Sequence, residues 1–145
     1  MALKDFIPVD GQRRISQAIT DAERYTSGEI CVHVTPRCLG ETLPQAQAVF
    51  NAKGLYRTRE RNAVLIYIAY LDRKIAILGD SAVNDIVSDG FWDDIVAVLR
   101  HHLQHHQPVE GICAAVTLVG DQLKALFPAD RDSINELSNE VSYDD

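Results

Sequence analysis

The sequence predicts an α/β fold built around a small mixed sheet, Rossmann-like in layout. Three observations predict it. Residues 29–35, EICVHVT, alternate apolar and polar with period two. Residues 62–70, NAVLIYIAY, form a nearly continuous apolar run of the kind found in a strand buried on both faces, and KIAIL at 74–78 follows after a tight turn at Leu71-Asp72-Arg73. Apolar residues at helical spacing surround these three strands. The resulting order is α-β-α-β-β-α-α-α. The strand–helix–strand passage from Glu29 to Tyr70 is expected to be a right-handed crossover between parallel strands, and the hairpin adds the third strand antiparallel.

Each helix has its own signals. Asp10 is expected to cap the first, whose apolar face runs Ile15, Ala18, Ile19 and Ala22 and which ends near Tyr25, where Thr26-Ser27-Gly28 breaks it. The second opens at Thr42, with Thr42 and Gln45 at capping-box spacing around a proline, and runs to about Leu55. Ala82 to Val87 predicts a short helix. A longer one begins near Phe91, after Ser88-Asp89-Gly90, and buries Trp92, Ile95, Val96, Leu99 and Leu103. The last opens at Pro108, whose missing N–H is harmless at a first helical position, and carries Ile112, Val116, Val119 and Leu123 toward Phe127 before Pro128 stops it.

A chain of 145 residues with 46% apolar content fits one domain, read here as residues 1–128 followed by an acidic tail, 129–145. Between Asp130 and Asp145 six acids face only Arg131, so this stretch carries −5 of the total −7 and leaves the body near −2. Without a basic stripe, binding to nucleic acid or to an anionic membrane surface is not expected. The tail places Ile134, Leu137 and Val141 at spacings of three and four, compatible with a short amphipathic turn against the domain or a partner, or with a solvating tail. The longest apolar run, Ala63 to Leu71, falls far short of the roughly 20 residues a membrane-spanning helix needs. The first residues, MALKDFIPVDGQRR, lack a signal-peptide core, so the expected location is cytoplasmic. Cys31, Cys38 and Cys113 are odd in number and show no C-x-x-C spacing, which predicts reduced thiols.

The predicted topology brings the end of the third strand, Gly79-Asp80, to the same sheet edge as Ser27-Gly28-Glu29 and Arg61-Asn62, so Asp80 is expected to approach Glu29 and Asn62. Asp80, Asp85, Asp89 and Asp93 fall within one 14-residue strand-to-helix stretch. Hard cations such as Ca²⁺ and Mg²⁺ take oxygen ligands, and such a rim can converge several of them, with Asn62 adding an amide oxygen. The competing reading is helix capping, since aspartate beside serine or glycine before a helix commonly serves as an N-cap.

Two other patterns carry less. HHLQHH, residues 101–106, holds four of the five histidines and sets His101 against His105 and His102 against His106 at helical spacing. A zinc site needs roughly three or four ligands, and no cysteine or carboxylate flanks this turn at a recognisable spacing. Histidine at a helix C-terminus also complements the dipole, with His102 and His106 expected beside the packed face and His101 and His105 outward. His33, alternating within the first strand, reads as structural. Cys31 and Arg37 spell C-x5-R, the spacing of a phosphate-binding thiolate loop. The intervening residues lack glycine and alternate as a strand, which would hold the two about 20 Å apart. No G-x-x-x-x-G-K-[ST], G-x-G-x-x-G or G-x-S-x-G motif occurs, so no organic cofactor is expected.

Six blocks taken in order resemble the TPM domain family: TSGEI (26–30), TRERNAVLIYIA (58–69), AILGDSAV (76–83), DGFWDDIV (89–96), EGICAAVTLVG (110–120) and INELSNEVSY (134–143). The resemblance covers nearly the whole chain and is to the family's short, anchorless bacterial branch. The family includes a thylakoid-lumen protein linked to photosystem II repair and to acid phosphatase activity. The sequence departs from the pattern at Cys31, where the resemblance implies a basic residue, so an anion-binding role is not carried over there. The resemblance implies an α/β/α sandwich and, in some members, a divalent cation held near the sheet edge by acidic loops. The expected function is therefore a module that binds Ca²⁺ or Mg²⁺ at Glu29, Asn62, Asp80, Asp85, Asp89 and Asp93 and acts through a protein partner, as a monomer or weak dimer. The alternative is a metal-dependent acid phosphatase hydrolysing phosphomonoesters. The module is favoured, because paired acids of matched environment are not visible in the sequence.

Overall fold

The computed structural model describes residues 2–129 and 139–144. Four strands form one sheet in the order β3-β2-β1-β4: β1 (Glu29–Thr35), β2 (Ala63–Ala69), β3 (Lys74–Gly79) and β4 (Ser142–Tyr143). β1 and β2 are parallel, with Glu29 opposite Ala63 and Thr35 opposite Ala69, while β3 is antiparallel to β2. Both central strands are buried along all seven residues.

That burial divides the core by alternation. Ile30, Val32, Val34, Val64, Ile66 and Ile68 face α2 (Val9–Glu23), α5 (Asp93–Gln104) and α6 (Pro108–Leu126), the last with proline in its first turn as its sequence predicts. On the other face Cys31, Leu65, Tyr67 and Ala76 meet Ala46 and Phe50 of α3 (Thr42–Ala52) and Leu55 of the following single 3₁₀ turn. These three layers are the sandwich that the resemblance implies. Two short helices complete the fold, α1 (Leu3–Phe6), which no sequence signal announced, and α4 (Ser81–Asn84).

Several boundaries differ from expectation for local reasons. Pro8, not Asp10, is the residue before α2, and Asp10 lies in the first turn, where a negative charge suits the helix dipole. Glu41 precedes α3, so Thr42 is already helical and no Thr42–Gln45 capping box forms. That helix ends at Ala52 rather than near Leu55, because Gly54 turns the chain with φ of 67°. The short helix covers 81–84, and the long helix starts at Asp93, two residues after Phe91. Of the tail, Ile134 and Leu137 lie outside the described residues. Val141 is buried, and the chain beyond it joins the sheet as β4, parallel to β1, through His33–Ser142 and Val34–Tyr143. No helix among the described residues is long and apolar enough to cross a membrane.

The α2–α6 contact depends on a missing side chain. A Cβ on Gly120 would stand 2.7 Å from the Cβ of Ala22 and 3.1 Å from its carbonyl oxygen, closer than packed atoms tolerate. Gly120→Ala should therefore lower unfolding stability by about 1–3 kcal/mol in a urea titration, the usual cost of overpacking. An unchanged midpoint would contradict this reading of the helix pair.

Candidate functional site at the acidic end of the sheet

The parallel start of β1, the start of β2 and the end of β3 meet at one end of the sheet. Val64 pairs with Gly79, and the Asp80 N–H donates to the Ala63 carbonyl at 2.8 Å. Glu29, Asn62 and Asp80 are thereby brought to a common rim, at 2%, 1% and 6% exposure. Polar groups so deeply withdrawn from water require partners. Asn62 Nδ2 donates to Ser27 Oγ at 3.1 Å and to Glu60 Oε2 at 3.4 Å. Asp80 caps α4, its Oδ1 accepting from the Ser81 N–H at 2.7 Å, and also takes a two-pronged pair from Arg61, Nε to Oδ2 at 2.7 Å and Nη2 to Oδ1 at 2.9 Å. The pair holds the Arg61 guanidinium's pKa above its usual value. Arg61 adopts φ of 54°, and its carbonyl accepts from the Ala82 N–H at 3.0 Å, which ties the loop before β2 to the start of α4. Asp80 thus does serve as a cap, the competing reading, while remaining at the rim.

Next to this rim stands a residue that sequence reasoning missed. Glu23 closes α2 and its Oε2 accepts from the Ile30 N–H at 2.7 Å. Burial, with the charge and shared hydrogen bond of the neighbouring Glu29, pushes its carboxyl up to about 8, against the Ile30 N–H and the Asn139 side chain, which lower it. Glu23 therefore carries a proton at neutral pH, and the two acids coexist without two buried charges. Asn139 also donates to Thr20 Oγ1 at 3.0 Å, which fixes it beside α2. One signal was available: an acid in the last turn of a helix opposes the dipole, and so implies a demand elsewhere.

The remaining predicted ligands stand apart from this packing. Asp85 caps the C-terminus of α4, Asp89 lies in the following connection and Asp93 opens α5; all three are exposed. Among the described residues no three His, Cys, Asp or Glu side chains gather closely enough to hold a metal ion. The oxygen donors available are those of the rim, Glu29, Asn62 and Asp80, with Glu23 behind them.

Because α5 ends at Gln104, only one of the two expected histidine pairs forms, His101 against His105 with ring centroids 4.3 Å apart. His105 is the C-cap and His106 lies beyond it at φ of 59°, so His102 and His106 never share a helical face, and His106 is exposed rather than packed. His102 and His105 instead bond through Nδ1 to the carbonyls of Val98 and His101 at 2.9 and 2.8 Å. His33 is structural, its Nδ1 against Ser142 Oγ at 3.1 Å and Nε2 against Asp144 Oδ2 at 3.0 Å, and burial lowers its pKa against the pull of Asp144. Cys31 is buried within β1, with its thiol pushed up to about 11 by desolvation, and Arg37 is exposed and paired with Asp72 at 2.8 Å. The C-x5-R spacing runs along a strand and forms no anion loop.

Comparison with known proteins agrees with this architecture. The profile of the TPM domain matches residues 3–122. The solution structure of the BA42 protein from the psychrophilic bacterium Bizionia argentinensis superposes with a TM-score of 0.90 at 33% identity, covering 99% of both chains. The N-terminal domain of the cg2496 protein from Corynebacterium glutamicum shares the fold at a TM-score of 0.64 and 17% identity, over 90% of this chain and 81% of that one. No curated protein matches.

The Glu23 carboxyl makes stability depend on pH. The native state keeps a proton that the unfolded chain releases, so the stabilisation is full below the ordinary value of 4.5 and is lost as pH rises through about 8. The melting temperature should fall between pH 6 and pH 9, and Glu23→Gln, which mimics the protonated acid, should flatten that fall. Equal pH slopes in both proteins would contradict the assignment.

Proposed function

Because this chain belongs to the TPM domain family, we propose that it is a TPM-domain module that takes up a divalent cation, Ca²⁺ or Mg²⁺, at the acidic end of its sheet and presents that end to a protein partner. The observation that carries the reading is that two deeply buried acidic residues, Glu29 and Asp80, stand at the same end of the sheet with β2 between them, and Asn62 stands at the same border. All these donors are oxygen, the choice of a hard cation. Among the described residues fewer than three such side chains gather, so protein oxygens alone do not complete the roughly six to eight ligands of a calcium ion. Arg61, half-exposed, covers Asp80 and has to turn aside before that carboxylate can bind directly. The cation would supply positive charge beside Glu29, and the exposed Asp85, Asp89 and Asp93 would add a negative approach field.

A metal-dependent acid phosphatase acting on phosphomonoesters would use the same rim. Cys31, the thiol that follows Glu29 in β1, is buried with its pKa pushed up to about 11, so it supplies no thiolate nucleophile there.

Thermal unfolding tests the cation reading. Millimolar CaCl₂ or MgCl₂, compared with NaCl at equal ionic strength, should raise the melting temperature by several degrees. Glu29→Gln should abolish the increment and Asp80→Asn should reduce it. The increment is the readout, because losing the Asp80 cap and ion pair lowers the baseline by itself. No increment with either metal, or an undiminished one in Glu29→Gln, would reject the site. Aryl phosphate hydrolysis that disappears both with chelator and in Asp80→Asn would favour the phosphatase reading.

A further inference from the structure

At the other end of the sheet, where β2 runs out at Ala69, the structure holds a cavity of about 600 Å³. That volume lies within the roughly 300–1,000 Å³ of small-molecule sites. The β2–β3 hairpin, α1, α5 and the turn into α6 wall it. Its apolar part includes Leu103 and the stacked rings of Phe6 and Tyr70, whose centroids lie 4.7 Å apart at 15°. Its charged part is Arg73, Lys74 and Arg100 against Asp5, a net positive lining in a chain of net charge −7.

The availability of those cations sets the cavity apart. Arg13, Arg14, Arg24, Arg37 and Arg61 all sit in ion pairs with carboxylates. Lys74 is occupied too, donating to the Gly40 carbonyl at 2.8 Å. Among the described residues Arg73 and Arg100 make no ion pair and no side-chain hydrogen bond. Two uncommitted guanidiniums therefore flank one apolar hollow. Backbone conformation marks the same place: of the three non-glycine residues with positive φ among those described, Arg73 at 56° and His106 at 59° line this cavity. Such conformations cost free energy and concentrate where a site needs them. The cavity also lies beyond the carboxyl end of β2, the side of an open α/β sheet where ligands bind.

We infer that this cavity binds a small organic anion, its phosphate, carboxylate or sulfonate head held by Arg73 and Arg100 and its flat apolar body set against Phe6, Tyr70 and Leu103. The guanidinium fork matches such oxyanions, and the ring pair offers a planar surface. The site stands at the opposite end of the sheet from the proposed cation rim and does not depend on it.

The test is an amide-resolved NMR titration of the full chain with 2-naphthyl phosphate, alongside neutral 2-naphthol and inorganic phosphate. Saturable shifts confined to the surroundings of Phe6, Tyr70, Arg73, Arg100 and Leu103 are expected. Each control should bind at least about tenfold more weakly, because each lacks one half of the recognition. Combining Arg73→Asn, which tolerates the left-handed backbone, with Arg100→Gln should weaken binding by about tenfold or more while leaving distant signals in place. The inference is overturned by no saturable shift at millimolar ligand, by shifts elsewhere, by naphthol binding as tightly as its phosphate, or by undiminished binding in the double variant.

Discussion

The structure depends on satisfying the outer edge of a buried strand. β1 lies inside the sandwich along its whole length, so each of its backbone groups needs a partner. β2 supplies them on one side. On the other, β4 reaches only His33 and Val34, together with the Asp144 N–H that donates to the Val34 carbonyl at 3.0 Å. At Ile30 the partner is a side chain, the Glu23 carboxyl. A carboxyl placed there leaves water and meets Glu29, and a retained proton is how the fold tolerates both acids. The closing of the sheet and the acidity of its rim are therefore one arrangement.

The same economy separates charge along the sheet. At the amino ends of β1 and β2 stand Glu23, Glu29 and Asp80, the last held by Arg61 in a pair whose carboxylate side is nearly dry. At the carboxyl end of β2 stand the uncommitted Arg73 and Arg100 above an apolar floor. The strand between them contributes only apolar residues and Tyr67, so the two ends are insulated by the core rather than neutralised by each other.

Much of the fold was legible because its signals are local. Alternation in 29–35 and the nearly continuous apolar run at 62–70 set the parallel pair, and that pairing placed Glu29, Asn62 and Asp80 at one end before any coordinates. What stayed hidden depends on distant partners. β4 is two residues long, too short for a periodic signal, and its pairing reaches across more than a hundred residues to His33. Glu23 takes a hydrogen bond from the distant Asn139, which no neighbouring residue announces. Arg61 and Arg73 occupy left-handed turns that glycine or asparagine would have signalled, so neither the Asp80 ion pair nor the basic cavity could be foreseen. His106 was expected beside the packed face because a helix two residues longer would carry it there, and the chain leaves the helix at Gln104.

The central claim is that burial beside Glu29 holds Glu23 as an acid even though its carboxyl accepts the Ile30 N–H. A carbon-13 NMR titration of the Glu23 side-chain carboxyl in the full chain addresses it directly. A midpoint of about 8 is expected. A midpoint at the ordinary 4.5 would mean that the carboxyl is solvated and the arrangement described at the edge of β1 is wrong.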